Sequence, residues 1–158
     1  MGNIFSASEV IELGIQIEKN GRDFYKTLAT QSKDPKPQDV FKFLAGEEER
    51  HIKTFEGILA KAQKYEPAGL DADEYFNYMK SLAGEHIFTQ KDKGEEVART
   101  IETDKEAIQK AIGFEEDSIV FYEGMKKTVP EYDQKLIDEL IRQEQRHLKQ
   151  LIDLKARI

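Results

Sequence analysis

The sequence predicts an all-α protein, an antiparallel four-helix bundle with one long crossover that contains a short helix. Apolar residues recur at helical spacing in four long stretches. Breaks containing proline separate the first stretch from the second and the third from the fourth, whereas a longer segment joins the second to the third. A chain of 158 residues suffices for one ordinary domain with a buried core. We therefore expect a single domain over residues 1–158.

The first two helices are predicted from apolar periodicity and from the residues at their ends. The first helix is expected to start near Ser6 or Ser8, where Ser6 with Glu9 fits a capping box, and to continue to about Thr30. The prolines within 35–37 are then predicted to break the chain. The second helix is expected over about residues 38–65.

A long connection follows the second helix. Pro-Ala-Gly at 67–69 predicts the end of that helix, and residues 70–102 form the connection. We expect a short helix at about 73–82 and another over 93–99. His86 falls in this connection with no glutamate three residues before it, so we interpret it as a structural or surface residue.

The last two helices carry predicted starts as well. Thr103 with Glu106 fits a capping box and opens a helix that is expected to continue to about Lys127. The sequence Thr128-Val129-Pro130-Glu131 is predicted to cap the fourth helix in the same way, with its proline in the first turn. The residues expected to face inward from the fourth helix are Leu136, Leu140, Leu148 and Leu151.

Composition excludes several classes of protein. The chain has no cysteine, which excludes thiolate nucleophiles, disulfides, iron-sulfur clusters and cysteine-bound zinc. Its net charge of −7, from 24 basic and 31 acidic residues, argues against binding to nucleic acid. No apolar run is long enough to span a bilayer, and we see no signal peptide, so we expect a protein of the cytoplasm with no membrane partner.

The pattern Glu-x-Arg-His, a glutamate three residues before a histidine, occurs twice inside predicted helices. Glu48 precedes His51, and Glu144 precedes His147. Residues three apart lie on the same face of a helix, so each pair can direct a carboxylate oxygen and an imidazole nitrogen to one point. One such pair in a glutamate-rich chain would mean little, but the doubled pattern is typical of a site for two metal ions.

Two further glutamates complete the pattern. Glu18 lies 30 residues before Glu48 and Glu115 lies 29 residues before Glu144, and each is followed by a Phe-Tyr pair at the same distance. The chain therefore looks like a duplicated helix hairpin. In a four-helix bundle the facing helices would bring six candidate metal ligands together. These are Glu18, Glu48, His51, Glu115, Glu144 and His147.

The chemistry of this set indicates which metals it would hold. Four carboxylates buried together repel one another and lose hydration, and two divalent ions would cancel their four negative charges. Oxygen-rich sites with one imidazole per metal suit iron or manganese. We therefore predict two iron ions as the cofactor, with manganese or zinc as alternatives.

Residues next to the ligands are predicted to orient them. Glu47 and Gln143, each directly before a ligand glutamate, are candidates to accept a hydrogen bond from a ligating imidazole. Arg50 and Arg146 are candidates to pair with those two residues.

Tyr25 and Tyr122 lie seven residues after Glu18 and Glu115, on the same helix faces. For these two tyrosines, ordinary core packing and a functional contact remain open. The functional alternative is a hydrogen bond to a ligand carboxylate or a redox-active phenol near the metals.

With these residues, the chain resembles the rubrerythrin branch of the ferritin-like superfamily over nearly its whole length. The six-ligand set is also similar to the ferroxidase centre of bacterioferritins. The resemblance implies a ferritin-like fold and a di-iron centre that reacts with hydrogen peroxide or O2. Rubrerythrins reduce peroxide to water, whereas bacterioferritins oxidise Fe(II) before storing it.

The chain departs from the rubrerythrin pattern in two ways. Classical rubrerythrins carry a cysteine-ligated rubredoxin domain that supplies electrons, and this cysteine-free chain has no such domain. Electrons would therefore have to come from a separate electron-donor protein, or turnover would be slow. Rubrerythrins also carry an extra glutamate one turn after the first ligand of the third helix, where this chain has Ser118.

These observations support three hypotheses about function. The first is a non-haem di-iron oxidoreductase that reduces hydrogen peroxide or O2 and protects against oxidative stress. The second is an iron-binding or ferroxidase protein for iron handling or storage. The third is a structural bundle without redox activity. A homodimer is a common outcome for such bundles, although the sequence does not determine the oligomer.

Overall fold

The computed structural model describes residues 7–62 and 72–158, and its long elements are helices. It contains six α-helices and one 3₁₀ turn within those ranges. In chain order they are α1 (Ala7–Gln31), α2 (Pro35–Ala62), α3 (Ala72–Glu85), the 3₁₀ turn Ile87–Thr89, α4 (Lys93–Arg99), α5 (Asp104–Lys126) and α6 (Glu131–Lys155).

The four long helices form two hairpins, and this arrangement confirms the predicted all-α bundle. α1 packs along α2 and α5 packs along α6, and the hairpins meet through α1 with α5 and through α2 with α6. The crossover lies mainly on the outside of α1, which contacts the 3₁₀ turn and α4, while α3 also contacts α5. No helix within the described ranges is long and apolar enough to cross a membrane.

Two predicted helix starts are wrong. Pro35 and Pro37 do not break the chain but form the first turn of α2, where the missing backbone N–H of proline would have no partner within the helix anyway. Thr128 does not cap α6, because its hydroxyl donates to the carbonyl of Met125 at 2.7 Å and so closes α5. Pro130 occupies the N-cap position of α6 without a side-chain hydrogen bond.

Other predicted boundaries lie close to the observed ones. Thr103 caps α5 by accepting a hydrogen bond from the backbone of Glu106 at 3.1 Å. The short helix expected at 73–82 extends over Ala72–Glu85, and the helix expected at 93–99 is found there. The predicted start at Ser6 and the predicted end of the second helix at 63–69 lie outside the described residues.

Asn20 holds the crossover against α1. Its side-chain amide donates to the carbonyls of Phe88 at 2.7 Å and Gln90 at 2.5 Å. Its side-chain oxygen accepts from the backbone N–H groups of Lys93 at 3.0 Å and Gly94 at 3.1 Å. One buried polar side chain therefore satisfies four backbone groups of the connection between the hairpins.

Candidate metal centre

The six predicted ligands converge in the middle of the bundle. Each is at most 2% exposed, which is unusual for carboxylates unless they are paired or bind metal. Their inward atoms form two groups of four, and within each group all ligand atoms lie within 4.8 Å of one another. We call them centre A (Glu18, Glu48, His51 and Glu144) and centre B (Glu48, Glu115, Glu144 and His147).

The two centres share their middle carboxylates. Glu48 and Glu144 belong to both groups, whereas Glu18 and His51 belong only to centre A. Each shared glutamate lies one helical turn before its histidine, on α2 or α6. The spacing that the sequence shows therefore places one bridging and one terminal ligand on each of these helices.

Gly21 on α1 leaves room for this arrangement. A Cβ atom there would lie 2.5 Å from a ring carbon of Phe114 and 3.4 Å from Oε2 of Glu48. Any side chain would displace the Phe114 ring and crowd the Glu48 carboxylate. Glycine at this position thus keeps α1 close to its neighbours beside the bridging ligand.

The site offers more acceptors than the protein can satisfy. Eight buried nitrogen and oxygen atoms make no hydrogen bond of regular geometry among the described residues. All eight belong to the six predicted ligands, and their close contacts are with one another. An unpaired buried polar group is costly, so a cluster of them implies a ligand that the protein alone does not provide. Oxygen-rich groups with one imidazole each fit two divalent cations of the iron or manganese type.

Both imidazoles present Nδ1 to the carboxylates and Nε2 to the outside of the cluster. Nε2 of His51 lies 2.8 Å from Oε1 of Gln143, an oxygen that can only accept, so Nε2 carries the proton. Nδ1 of His51 lies 2.8 Å from Oε1 of Glu144. Gln143 therefore fixes the ring with Nδ1 facing the metal position, as outer hydrogen bonds do for metal-bound histidines.

The second imidazole has a carboxylate behind it. Nε2 of His147 lies 3.7 Å from Oε1 of Glu47, and Nδ1 lies 3.8 Å from Oε1 of Glu48. The other oxygen of Glu47 accepts from the guanidinium of Arg50 at 2.8 Å. Arg146, the counterpart of Arg50, lines a surface cavity of about 280 Å³ that His51, Gln143, Glu47 and Arg50 also line.

The tyrosines cross between the hairpins. Tyr25 on α1 donates to Oε1 of Glu115 on α5 at 2.7 Å, and Tyr122 on α5 donates to Oε1 of Glu18 on α1 at 2.6 Å. Both rings are fully buried, so they also belong to the core. Of the two alternatives left open, the structure shows the hydrogen bond to a carboxylate together with core packing. Burial and the nearby carboxylates raise the pKa of both phenols well above the usual value.

Burial and mutual repulsion favour the protonated forms of several groups in the metal-free cluster. Burial, reinforced by the charge of Glu144, raises the pKa of Glu18 to about 7 and the pKa of Glu115 well above its usual value. Burial alone would lower the pKa of His51, but Glu18 and Glu144 outweigh it and raise that pKa to about 11. Burial alone would raise the pKa of Glu144, but contacts with Glu115 and both histidines hold it below its usual value.

His86 and Ser118 form a buried pair beside α5. Nδ1 of His86 accepts from the backbone N–H of Phe88 at 3.2 Å, and Nε2 lies 3.1 Å from the Ser118 hydroxyl. His86 is therefore an interior structural residue, and burial lowers its pKa to about 4. Ser118, at the position of the extra rubrerythrin glutamate, bonds to a neutral ring and brings no further carboxylate.

Sequence reasoning missed Asn20 and misplaced one leucine. A polar residue inside the apolar face of a long helix was the available signal for Asn20, because asparagine is unfavourable there without a specific partner. Leu136, predicted to face inward, is 41% exposed, and it lines the cavity beside His51 and Gln143.

The fold and this site define a ferritin-like di-iron carboxylate protein. The chain matches the family model described as Rubrerythrin over residues 9–155, and it therefore belongs to the rubrerythrin family. It is also similar to a protein from Thermotoga maritima whose crystal structure is described as that of a ferritin-like diiron-carboxylate protein. The two are 27% identical with a TM-score of 0.71, and the match covers 99% of this chain and 98% of that one. None of the curated proteins matches this chain in sequence.

Proposed function

We propose that this protein is a non-haem di-iron oxidoreductase that reduces hydrogen peroxide or O2, as part of protection against oxidative stress. The observation that carries the proposal is the set of eight buried atoms without a regular hydrogen bond, all on six residues that form two overlapping four-ligand groups. Two ferrous ions bound there would supply the two electrons that reduce hydrogen peroxide, with two protons, to two molecules of water.

The protein groups have separate roles in this proposal. Glu48 and Glu144 would hold both ions, while the phenols of Tyr25 and Tyr122 keep the terminal carboxylates in place. The cavity of about 280 Å³ beside His51 gives a small oxidant an approach from the surface. A separate electron-donor protein would return the enzyme to the ferrous state. The homodimer and the cytoplasmic location remain predictions of the sequence.

The second candidate is a ferroxidase that handles or stores iron. Ser118 favours it, because this hydroxyl bonded to His86 makes the ligand set more symmetric than that of a peroxidase with an extra glutamate. In that case Fe(II) is the substrate rather than a resident cofactor. Storage would also require a hollow assembly of many chains, so a monomer or dimer in solution would rule it out.

One experiment tests these alternatives. The protein is loaded anaerobically with Fe(II), desalted, analysed for iron, and then given one addition of hydrogen peroxide. About two irons per chain, rapidly oxidised and reduced again by a donor over many turnovers, would support the oxidoreductase. Many irons per chain would indicate storage, and none would leave a structural bundle.

Matched variants show whether the iron lies in the predicted cluster. Glu115→Ala and His147→Ala should lose bound iron, whereas Glu116→Ala, an exposed neighbour on the same helix, should keep it. Full iron content in the first two variants would contradict the proposed site.

A further inference from the structure

We propose that the two metal positions are inequivalent, because Glu47 makes centre B bind a metal ion more tightly than centre A and favours the oxidised form of that ion. The inference deepens the proposed function, because it assumes that the cluster binds two ions. It concerns the residues behind the two histidines. If the two hairpins were identical copies, the two metal positions would be equivalent.

Almost every part of the site occurs as a matched pair. Each centre has one terminal glutamate, one histidine and the two shared glutamates. Each terminal glutamate accepts a hydrogen bond from a tyrosine of the other hairpin. These matched features leave the affinities of the two positions nearly equal.

The residues behind the imidazoles break the match. Gln143, behind His51, is a neutral amide at 2.8 Å, whereas Glu47, behind His147, is a carboxylate at 3.7 Å. A negative charge within 4 Å of an imidazole stabilises the positive charge of a metal bound to its other nitrogen. The effect grows with the charge of that metal, so it favours the oxidised ion at centre B.

Neighbouring charges do not reverse this difference. The guanidinium of Arg50 partly offsets Glu47, but its side chain is 78% exposed and therefore strongly screened by water. The side chain of Glu47 itself is only 16% exposed. Arg146 stands in the same relation to Gln143, one turn away, and it is exposed and screened in the same way. Both arginines line the same cavity, so neither distinguishes the two centres.

A more distant acid also lies on the Gln143 side. The amide nitrogen of Gln143 donates to Oε1 of Glu139 at 3.2 Å. The side chain of Glu139 is 46% exposed and pairs with Arg142 at 2.7 Å, so its charge is screened and separated from His51 by the neutral amide. The equivalent place on the other side holds Phe43, whose ring packs edge-on against His147 at 6.2 Å. This ring is uncharged, so it adds no charge that would compete with Glu47 near His147.

The two hairpins also differ at one position near the ligands where both residues are uncharged. Ser118 lies three residues after Glu115, whereas Gly21 lies three residues after Glu18. Ser118 is held by the neutral His86 ring. It therefore does not account for a preference between two cations.

The test uses Co(II), which is divalent and stable in air. Wild-type protein receives half an equivalent of Co(II), and anomalous scattering from crystals gives the occupancy at each centre. We expect centre B, at Glu115 and His147, to hold about tenfold more cobalt than centre A, the lower end of the effect of such outer residues.

Reciprocal variants separate charge from a merely structural role. Glu47→Gln and Gln143→Glu should each bring the occupancy ratio close to one, and the double variant should invert it. Glu56→Gln removes an exposed charge from the same helix and should leave the ratio unchanged. Circular dichroism and full loading with two equivalents check that each variant folds.

The outcomes are distinct from those of the proposed function. Equal occupancy in wild type, preference for centre A, or a double variant that keeps the wild-type ratio would each overturn the inference, even if the iron-loaded protein consumes peroxide. Conversely, cobalt concentrated at centre B in a protein that never reduces peroxide or O2 would support the inference and count against the proposed activity. A wild-type protein that binds no cobalt would overturn the inference together with the metal site.

Discussion

Tyr122 on α5 donates a hydrogen bond of 2.6 Å to Glu18 on α1, and Tyr25 on α1 donates one of 2.7 Å to Glu115 on α5. Each terminal carboxylate is thus oriented by the hairpin to which it does not belong. The positions of the two carboxylates therefore depend on how the hairpins pack together.

Tyr122→Phe tests this dependence. The variant keeps the buried ring but leaves Oε1 of Glu18 without its donor, so we expect a loss of about 1 to 2 kcal/mol in the unfolding free energy. Binding of the ion at Glu18 should weaken by about tenfold. Guanidinium denaturation and Co(II) titration measure the two effects. Tyr132→Phe, at a ring that is 72% exposed, is the matched control and should change neither.

Removing a shared ligand should affect the binding of both metal ions, whereas removing a terminal ligand should affect only one. His51→Ala removes a ligand of one centre, so one ion per chain should remain. Glu144→Ala removes a ligand of both centres, so we expect both ions to be lost or severely weakened. Metal analysis after Fe(II) or Co(II) loading measures the stoichiometry. Two tightly bound ions in Glu144→Ala would contradict the bridging assignment.

The metal-free protein should lose stability as the pH rises from about 5 to about 8. Glu18 has a folded-state pKa of about 7 against an ordinary value of 4.5, so its favourable contribution is present below 4.5 and lost as the pH passes 7. His51 acts in the same direction between 6.5 and about 11. Glu18 alone contributes a fall of about 3 kcal/mol, to an order of magnitude.

Guanidinium denaturation across this pH range, with a chelator present, measures the fall. Glu18→Gln should flatten part of it, because that variant has no carboxyl group to ionise. Bound metal should oppose it, since metal ions displace the protons and bind more tightly as the pH rises. A metal-free protein whose stability rises steadily from pH 5 to pH 8 would contradict these pKa directions.

Gly94→Ala should destabilise the protein by at least about 2 kcal/mol. A Cβ atom at this position would lie 1.9 Å from the backbone oxygen of Asn20, a contact that requires α1 and α4 to move apart. Gly57→Ala is the control, since no atom of the residues that the structure describes lies within 4 Å of its new Cβ, and it should stabilise α2 by up to about 1 kcal/mol. Thermal unfolding of both variants makes the comparison. Equal melting temperatures would show that the crossover does not require this close approach.

Sequence reasoning predicted the helices and the candidate ligands because both follow from spacing. Apolar periodicity locates long helices, and Glu48 with His51 share a helix face wherever that helix lies. The role of Asn20 was beyond its reach, since the backbone groups that it binds lie in the crossover and meet α1 only when the chain folds back. The role of Thr128 was also missed, although its partner is local. Thr128 fits a cap for the following helix equally well in sequence, and only the geometry of the turn shows that its hydroxyl closes the preceding one.

The placement of Glu144 has a consequence for the order of assembly. The first hairpin carries Glu18, Glu48 and His51, three of the four ligands of centre A, but the fourth lies in α6. Centre B likewise needs Glu48 from the first hairpin. A folding intermediate with only one hairpin in place therefore has neither complete ion site. Tight binding of the two metal ions is therefore a property of the fully folded protein. Metal binding can report that both hairpins of the chain have docked.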